Sequence, residues 1–272
     1  MLIAMKDNNC TIARELLAQA PVITTDAEEI CTIHPPFPDM RGFQGGCSDG
    51  ERYYYNISMH YDLASGQENN YSRIAKIDLT TGEVVTWSEN LTLHHANDAA
   101  YHPRTRELLV CNNKPHHRRL TVIDADTLTV KRTVELPFPV YCIDYNESRD
   151  RYVVGLLGTW DYRILDADLN PVDDQIMHGT PLTARYTKQG VCTDDELIYF
   201  ILWDGKHKDA DDFQNEIAVY DWGGNFRGLI EFDVGVKEPE NLSIVCGEII
   251  AVCGVCDPIV YRLTPKIKGA RT

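Results

Sequence analysis

Thr121-Val-Ile-Asp124-Ala-Asp-Thr-Leu-Thr-Val130 is an apolar run, an aspartate, a short polar turn and a second, alternating run. An aspartate ending an apolar run can accept hydrogen bonds from main-chain N–H groups just beyond it. The runs on either side then read as antiparallel strands. The phrase recurs at Ala75-Lys-Ile-Asp78-Leu-Thr-Thr-Gly82-Glu-Val-Val85, at Arg163-Ile-Leu-Asp166-Ala-Asp-Leu-Asn-Pro-Val172 and at Ala218-Val-Tyr-Asp221-Trp-Gly-Gly-Asn-Phe-Arg227. The four aspartates lie 42 to 55 residues apart, the repeat length of propeller blades.

Another hairpin precedes each phrase. Its first strand begins near Gln44, Asn97, Tyr141, Gln189 and Asn241, which gives five inner hairpins but only four complete outer pairs. An open sandwich would leave the repeat unexplained. The expected fold is therefore all-β, a five-bladed β-propeller over residues 29–272, after an extension at 1–28. Its last blade lacks a strand, and Glu29-Ile-Cys-Thr-Ile-His34 is the candidate to supply it and cover the exposed edge. Residues 10–19 read as a short amphipathic helix outside the ring.

Composition bounds the function. Of 272 residues 43% are hydrophobic and 25% charged, enough apolar material for a full core. A formal net charge of −15 argues against binding a nucleic-acid polymer, which requires a basic face. No apolar run reaches the length of a membrane span, and residues 1–10 lack the pattern of a secretory signal. Nine cysteines, mostly within apolar strands, read as reduced buried thiols in the cytoplasm rather than a disulfide framework.

If the five inner strands align at their turns, Gln44, Asn97, Tyr141, Gln189 and Asn241 share one register at the channel mouth. Charged neighbours come with them: Arg41, His95, Asp98, Lys188, Glu238 and Glu240. Charges that close to an axis are costly unless paired. Two explanations remain open, inter-blade ion pairs such as Arg41 with Glu240, or a ligand site. The loops on the same face add His117, within the basic run Lys114-Pro-His-His-Arg-Arg119, and the rings of Trp160 and Trp203. On the ligand reading, His95, Asp98 and Glu240 carry acid–base chemistry, while Arg41 and Lys188 hold an anionic, possibly phosphorylated or nucleotide-like, small molecule. Hydrolase and lyase types both fit. A binding protein for the same ligand, and a scaffold for a protein or cell-wall polymer, are the alternatives.

No cofactor motif is present, and Cys253-Gly-Val-Cys256 lacks the second pair of a zinc site. Asp98, Glu238 and Glu240 could instead supply hard oxygen ligands to a divalent cation.

Phe43-Gln-Gly45, His95-Ala-Asn-Asp98, Lys188-Gln-Gly190 and Glu238-Pro-Glu-Asn241, in that order, resemble bacterial five-bladed propellers of the teichoic acid biosynthesis protein C-like group, over roughly residues 40–264. Phe43-Gln44-Gly45 and Glu238-Pro-Glu240 are also similar to phrases of plant-type glutaminyl cyclases, which are five-bladed as well. That family's Glu-Gly phrase in the second blade is replaced here by His95-Ala-Asn-Asp98. The resemblance implies a propeller with its site on the inner strands.

Overall fold

The computed structural model describes residues 9–34, 40–62, 67–179, 187–206 and 215–269. A helix, α1 (Asn9–Leu17), and a strand, β1 (Val22–Thr32), precede a run of antiparallel meanders. β2 (Met40–Ser48), β3 (Tyr53–Asp62), β4 (Gln67–Asp78) and β5 (Glu83–Trp87) form the first. β6 (Asp98–His102), β7 (Glu107–Cys111), β8 (Arg119–Asp124) and β9 (Val130–Glu135) form the second, and β10 (Val140–Asn146), β11 (Arg151–Leu156) and β12 (Tyr162–Leu165) the third. β13 (Thr187–Thr193), β14 (Leu197–Trp203), β15 (Asn215–Asp221) and β16 (Phe226–Phe232) make the fourth, and β17 (Pro239–Val245), β18 (Glu248–Cys253) and β19 (Ile259–Lys266) the last.

The first strands of these meanders touch in a closed circuit: β2 on β6, β6 on β10, β10 on β13, β13 on β17, and β17 back on β2. The second strands explain the circuit. β7 is buried along its whole length, with Leu108 and Val110 packed toward the first meander and Leu109 and Cys111 toward the third. A strand buried on both faces needs an uninterrupted apolar run, and Leu197-Ile-Tyr-Phe-Ile-Leu202 of β14 is another. The circuit closes where Phe43, Tyr54 and Ile77 meet Val245, Ile250 and Val252. This is a β-propeller, all-β apart from α1.

The repeated aspartates work as turn acceptors. Asp124 Oδ1 accepts the N–H groups of Asp126 and Thr127 at 3.0 and 2.9 Å, and Asp221 Oδ1 those of Gly223 and Asn225, both at 2.9 Å. Asp166 does the same with Asp168 and Asn170, and Asp78 with Thr80. In the third meander the run after Asp166 does not extend into the expected strand. Among the described residues it is held by the isolated bridges Leu165–Pro171 and Tyr162–Met177, with Pro171 interrupting the ladder.

The closing strand starts earlier than Glu29. β1 begins at Val22, pairs in parallel with β16 over Val22–Thr24, then runs antiparallel to β19 from Thr24 to Thr32. It therefore covers the open edge of the last meander and also joins it to the fourth, giving one eight-stranded sheet. α1 buries Cys10, Ala13 and Leu17, spaced along one helical face, against β1, β16, β18 and β19. No helix among the described residues is long and apolar enough to cross a membrane.

Candidate functional site

Four of the five inner strands carry an irregularity near their start. The pairing slips by one residue between Val140 and Cys142, between Lys188 and Gly190, and between Pro239 and Asn241, and again between Phe43 and Gly46. A bulge of this kind leaves one residue out of the ladder and re-aims its side chain. The bulged residues are Tyr141, Gln189 and Glu240, with Gln44-Gly45 in β2. In the second meander Asn97 occupies this place, its N–H reaching Cys111, the partner of Asp98. The shared register is thus Gln44, Asn97, Tyr141, Gln189 and Glu240. In the fifth strand it falls on the carboxylate and not, as the turn alignment has it, on Asn241.

Asn241 and Asp98 belong one step further along, at the axis. Asp98 Oδ2 accepts the N–H of Ile143 at 3.1 Å, and its carboxylate also takes the N–H of Val191. Asp98 Oδ1 accepts from Asn241 Nδ2 at 2.8 Å, and the same amide donates to the Gly46 carbonyl at 2.8 Å. The other side of Asn241 accepts from the Tyr54 hydroxyl at 3.0 Å. One acid–amide pair therefore ties together β2, β6, β10, β13 and β17. The strands approach so closely here that a Cβ at Gly45 would sit 2.2 Å from the Asn97 carbonyl oxygen. Phe43-Gln-Gly and the Asp98 and Asn241 positions are thus explained by packing at the axis. Asp98, expected to take part in acid–base chemistry or to share a divalent cation with Glu238 and Glu240, is wholly buried with both oxygens engaged in hydrogen bonds across the ring.

Two of the bulged residues, Tyr141 and Gln189, belong to a hydrogen-bonded arc with Asn97. His117 Nδ1 lies 3.0 Å from Asn113 Oδ1, and Asn113 Nδ2 donates to Asn97 Oδ1 at 2.7 Å. The Asn97 amide also bonds the Tyr141 phenol, whose hydroxyl donates to Gln189 Oε1 at 3.1 Å. Gln189 Nε2 then donates to Glu238 Oε1 at 2.6 Å. Asn113, which sequence reasoning passed over, is held in a left-handed conformation (φ 51°) that asparagine tolerates; the Asn112-Asn113 pair at a strand end was the available signal. Gln44 stands apart, its Nε2 donating to the Phe43 carbonyl.

Glu240 is the unusual member. It is 3% exposed, and among the described residues its buried Oε1 has no hydrogen-bond partner. Burial, helped by the charge on Glu238, pushes its carboxyl well above the usual carboxylate range. Burial of this kind favours the neutral carboxyl over the charged carboxylate.

Lys188 turns away from this arc. Its Nζ donates to the main-chain carbonyls of Asp161 at 2.7 Å and Leu156 at 3.3 Å, and it lines a side cavity of about 300 Å3 with Tyr141, Trp160 and Thr187. Desolvation lowers its pKa to about 8. It is therefore not joined to the carboxylates in a common anion cradle. Arg41 lies in β2 with its side chain outside the described residues, as do residues 63–66 and 207–212 of the upper loops and Tyr186. His95 sits half-buried before β6, its N–H 3.4 Å from the Lys114 carbonyl oxygen. Trp203, at the end of β14, packs beside Gly205 in its own loop. Among the described residues no group of three or more His, Cys, Asp or Glu could hold a metal ion. Of the Cys253-x-x-Cys256 pair, one thiol is buried and the other exposed.

The opposite end of the inner strands encloses a cavity of about 250 Å3 lined by Ser48, Tyr101, Asp144, Thr193 and Ser243. Burial raises the Asp144 carboxyl from 3.8 to about 7, opposed by the Thr193 hydroxyl that donates to it at 2.7 Å. A carboxyl with a higher pKa folded than unfolded binds more protons in the folded state between the two values. Its contribution to stability is therefore present at low pH and lost as pH rises from about 4 to about 7. Asp144→Asn should accordingly gain roughly 2–5 °C in melting temperature relative to the parent between pH 5 and pH 8. Melting curves of the two proteins that stay parallel across that range would contradict the assignment.

No family model matches this chain, and no curated protein matches it in sequence. Solved structures do match. Glutaminyl cyclase from Myxococcus xanthus superposes with a TM-score of 0.62 at 12% identity, over 90% of this chain and 98% of that one. A nidogen/laminin complex matches at a TM-score of 0.53 and 13% identity, over 79% of this chain and 73% of that chain. At these identities the likeness is one of fold.

Proposed function

We propose that the protein is a small-molecule-processing enzyme, of hydrolase or lyase type, working by acid–base chemistry at the mouth of a five-bladed propeller. Glu240 is the proton-transferring residue in this reading, and the observation that carries it is the buried, unpartnered Oε1 of that side chain. An unsatisfied carboxyl oxygen next to a second carboxylate costs stability, and such groups cluster where a ligand completes them. Glu238, Gln189, Tyr141 and Asn97 supply a fixed arc of donors and acceptors beside it. With Lys188 turned aside, the ligand's recognised end is a hydrogen-bond donor facing Glu240, an amine, amide or hydroxyl. An anionic group elsewhere on the ligand would fall to the face carrying His117. Glutaminyl cyclase demonstrates that an enzyme can be built on this fold. Nine free cysteines, six of them buried, suit a reducing, cytoplasmic setting.

The test is a panel of amine, amide, nucleotide and sugar-phosphate compounds, including peptides with N-terminal glutamine, screened by thermal shift and then for turnover. Supporting compounds raise the melting temperature of the parent but not of Glu240→Leu, and are converted. Compounds that bind unconverted would turn the reading to a binding protein. Stabilisation that Glu240→Leu leaves intact would remove the site from this register.

A further inference from the structure

The cavity beside Tyr141 and Trp160 holds a lysine in an uncommon state. Lys188 is 6% exposed, and among the described residues its hydrogen bonds end on two main-chain carbonyls. A lysine taken from water without a carboxylate hydrogen-bonded to it favours its neutral form. The bonding fits that form, because a neutral amine has two N–H donors and a lone pair, and two acceptors are in place. Room for the side chain is built into β11. A Cβ at Gly155 would lie 3.4 Å from Nζ, 3.5 Å from Cε and only 2.5 Å from the Cys142 sulfur. The Cys142 thiol, raised to about 12 by burial, stays protonated and leaves the amine as the nucleophile of the pair. The cavity walls combine Trp160 and Leu156 with Tyr141 and Thr159, and about 300 Å3 accepts a molecule of a few to a dozen heavy atoms.

We propose that Lys188 is a carbonyl-reactive amine, and that the cavity it lines takes a small aldehyde or ketone as a reversible imine. The Nζ lone pair attacks the carbonyl carbon, forming a C–N bond while the C=O π pair moves to oxygen. A proton passes from nitrogen to that oxygen, giving a carbinolamine, and loss of water leaves the C=N bond. Amine and carbonyl go to imine and water, with no change of oxidation state. The inference does not rest on Glu240, since the reacting group is Lys188, and the cavity meets the arc at Tyr141.

The measurement is reductive trapping of the whole protein with benzaldehyde and cyanoborohydride at pH 7, followed by peptide mass mapping. The reductant, supplied by the assay, fixes each imine as a secondary amine. Lys188 should be modified at least 10-fold faster than the surface lysines Lys131 and Lys268, and its rate should rise with a midpoint near pH 8. This comparison is internal to the parent protein and so does not depend on a variant that folds. Lys188→Arg should then lose the fast phase alone. Labelling of Lys188 no faster than that of the surface lysines, or a fast phase that survives in Lys188→Arg, would overturn the proposal.

Discussion

Asp98→Ala should melt about 10 °C below the parent protein, the largest loss of stability expected from any single substitution on the inner strands. The carboxylate is wholly buried and takes the N–H groups of Ile143 and Val191 and the amide of Asn241. Alanine takes an acceptor from each of these buried donors, at about 1–3 kcal/mol each, although the Asn241 amide keeps its bond to the Gly46 carbonyl. Some relaxation and water entry will offset part of that, so about 3–5 kcal/mol is the expected net cost. Asp98→Asn keeps one acceptor oxygen but sets an amide nitrogen against that of Asn241, so it should fall between the two. A drop of less than about 2 °C for Asp98→Ala would mean that the inner strands hold together without the axial pair.

Glu240→Gln should show the opposite pattern. The carboxyl is disfavoured in its charged form by burial and by Glu238, and a neutral amide of the same shape removes that cost. Stability at pH 8 should stay level or rise. Turnover of a substrate found by the panel should fall about 10²- to 10⁴-fold, the usual worth of a positioned proton-transfer group. Gain of stability with loss of activity is the mark of a residue kept for function at the expense of the fold. Activity within tenfold of the parent would assign proton transfer elsewhere.

These two residues also show what the sequence reveals and what it hides. The meanders are legible because strand pairing leaves a periodic trace: an apolar run, an aspartate closing a turn, a second run. Asp124 and Asp221 make the main-chain bonds that such a pattern requires. A bulge leaves no such trace. It adds one residue to one strand, so alignment from the turn at Cys246 places Asn241 where Glu240 stands. The polar ring is therefore right in four strands and one residue out in the last. Charge was equally ambiguous. Asp98, Lys188 and Glu240 all read as charges near an axis, but only contacts across the ring assign one to packing, one to a side cavity and one to the mouth. Partners such as Asp98 and Asn241 are 143 residues apart, a separation that local pattern does not encode. The early start of β1 was hidden for a similar reason, since Val22–Thr24 becomes a strand only by pairing with β16.

The position of β1 has a consequence for how the chain is made. Val22 pairs with Leu229, and Asp26 with Thr264. A ribosome adding roughly 5–20 residues per second needs on the order of 10–50 s to deliver those partners after β1 itself has been built. During that interval Ile23, buried completely in the finished protein, lacks the strands β16 and β19 that enclose it. A strand synthesised well before its partners is thus among the last to find its place, and during each round of synthesis the growing chain carries an unpaired strand edge that neighbouring nascent chains can capture.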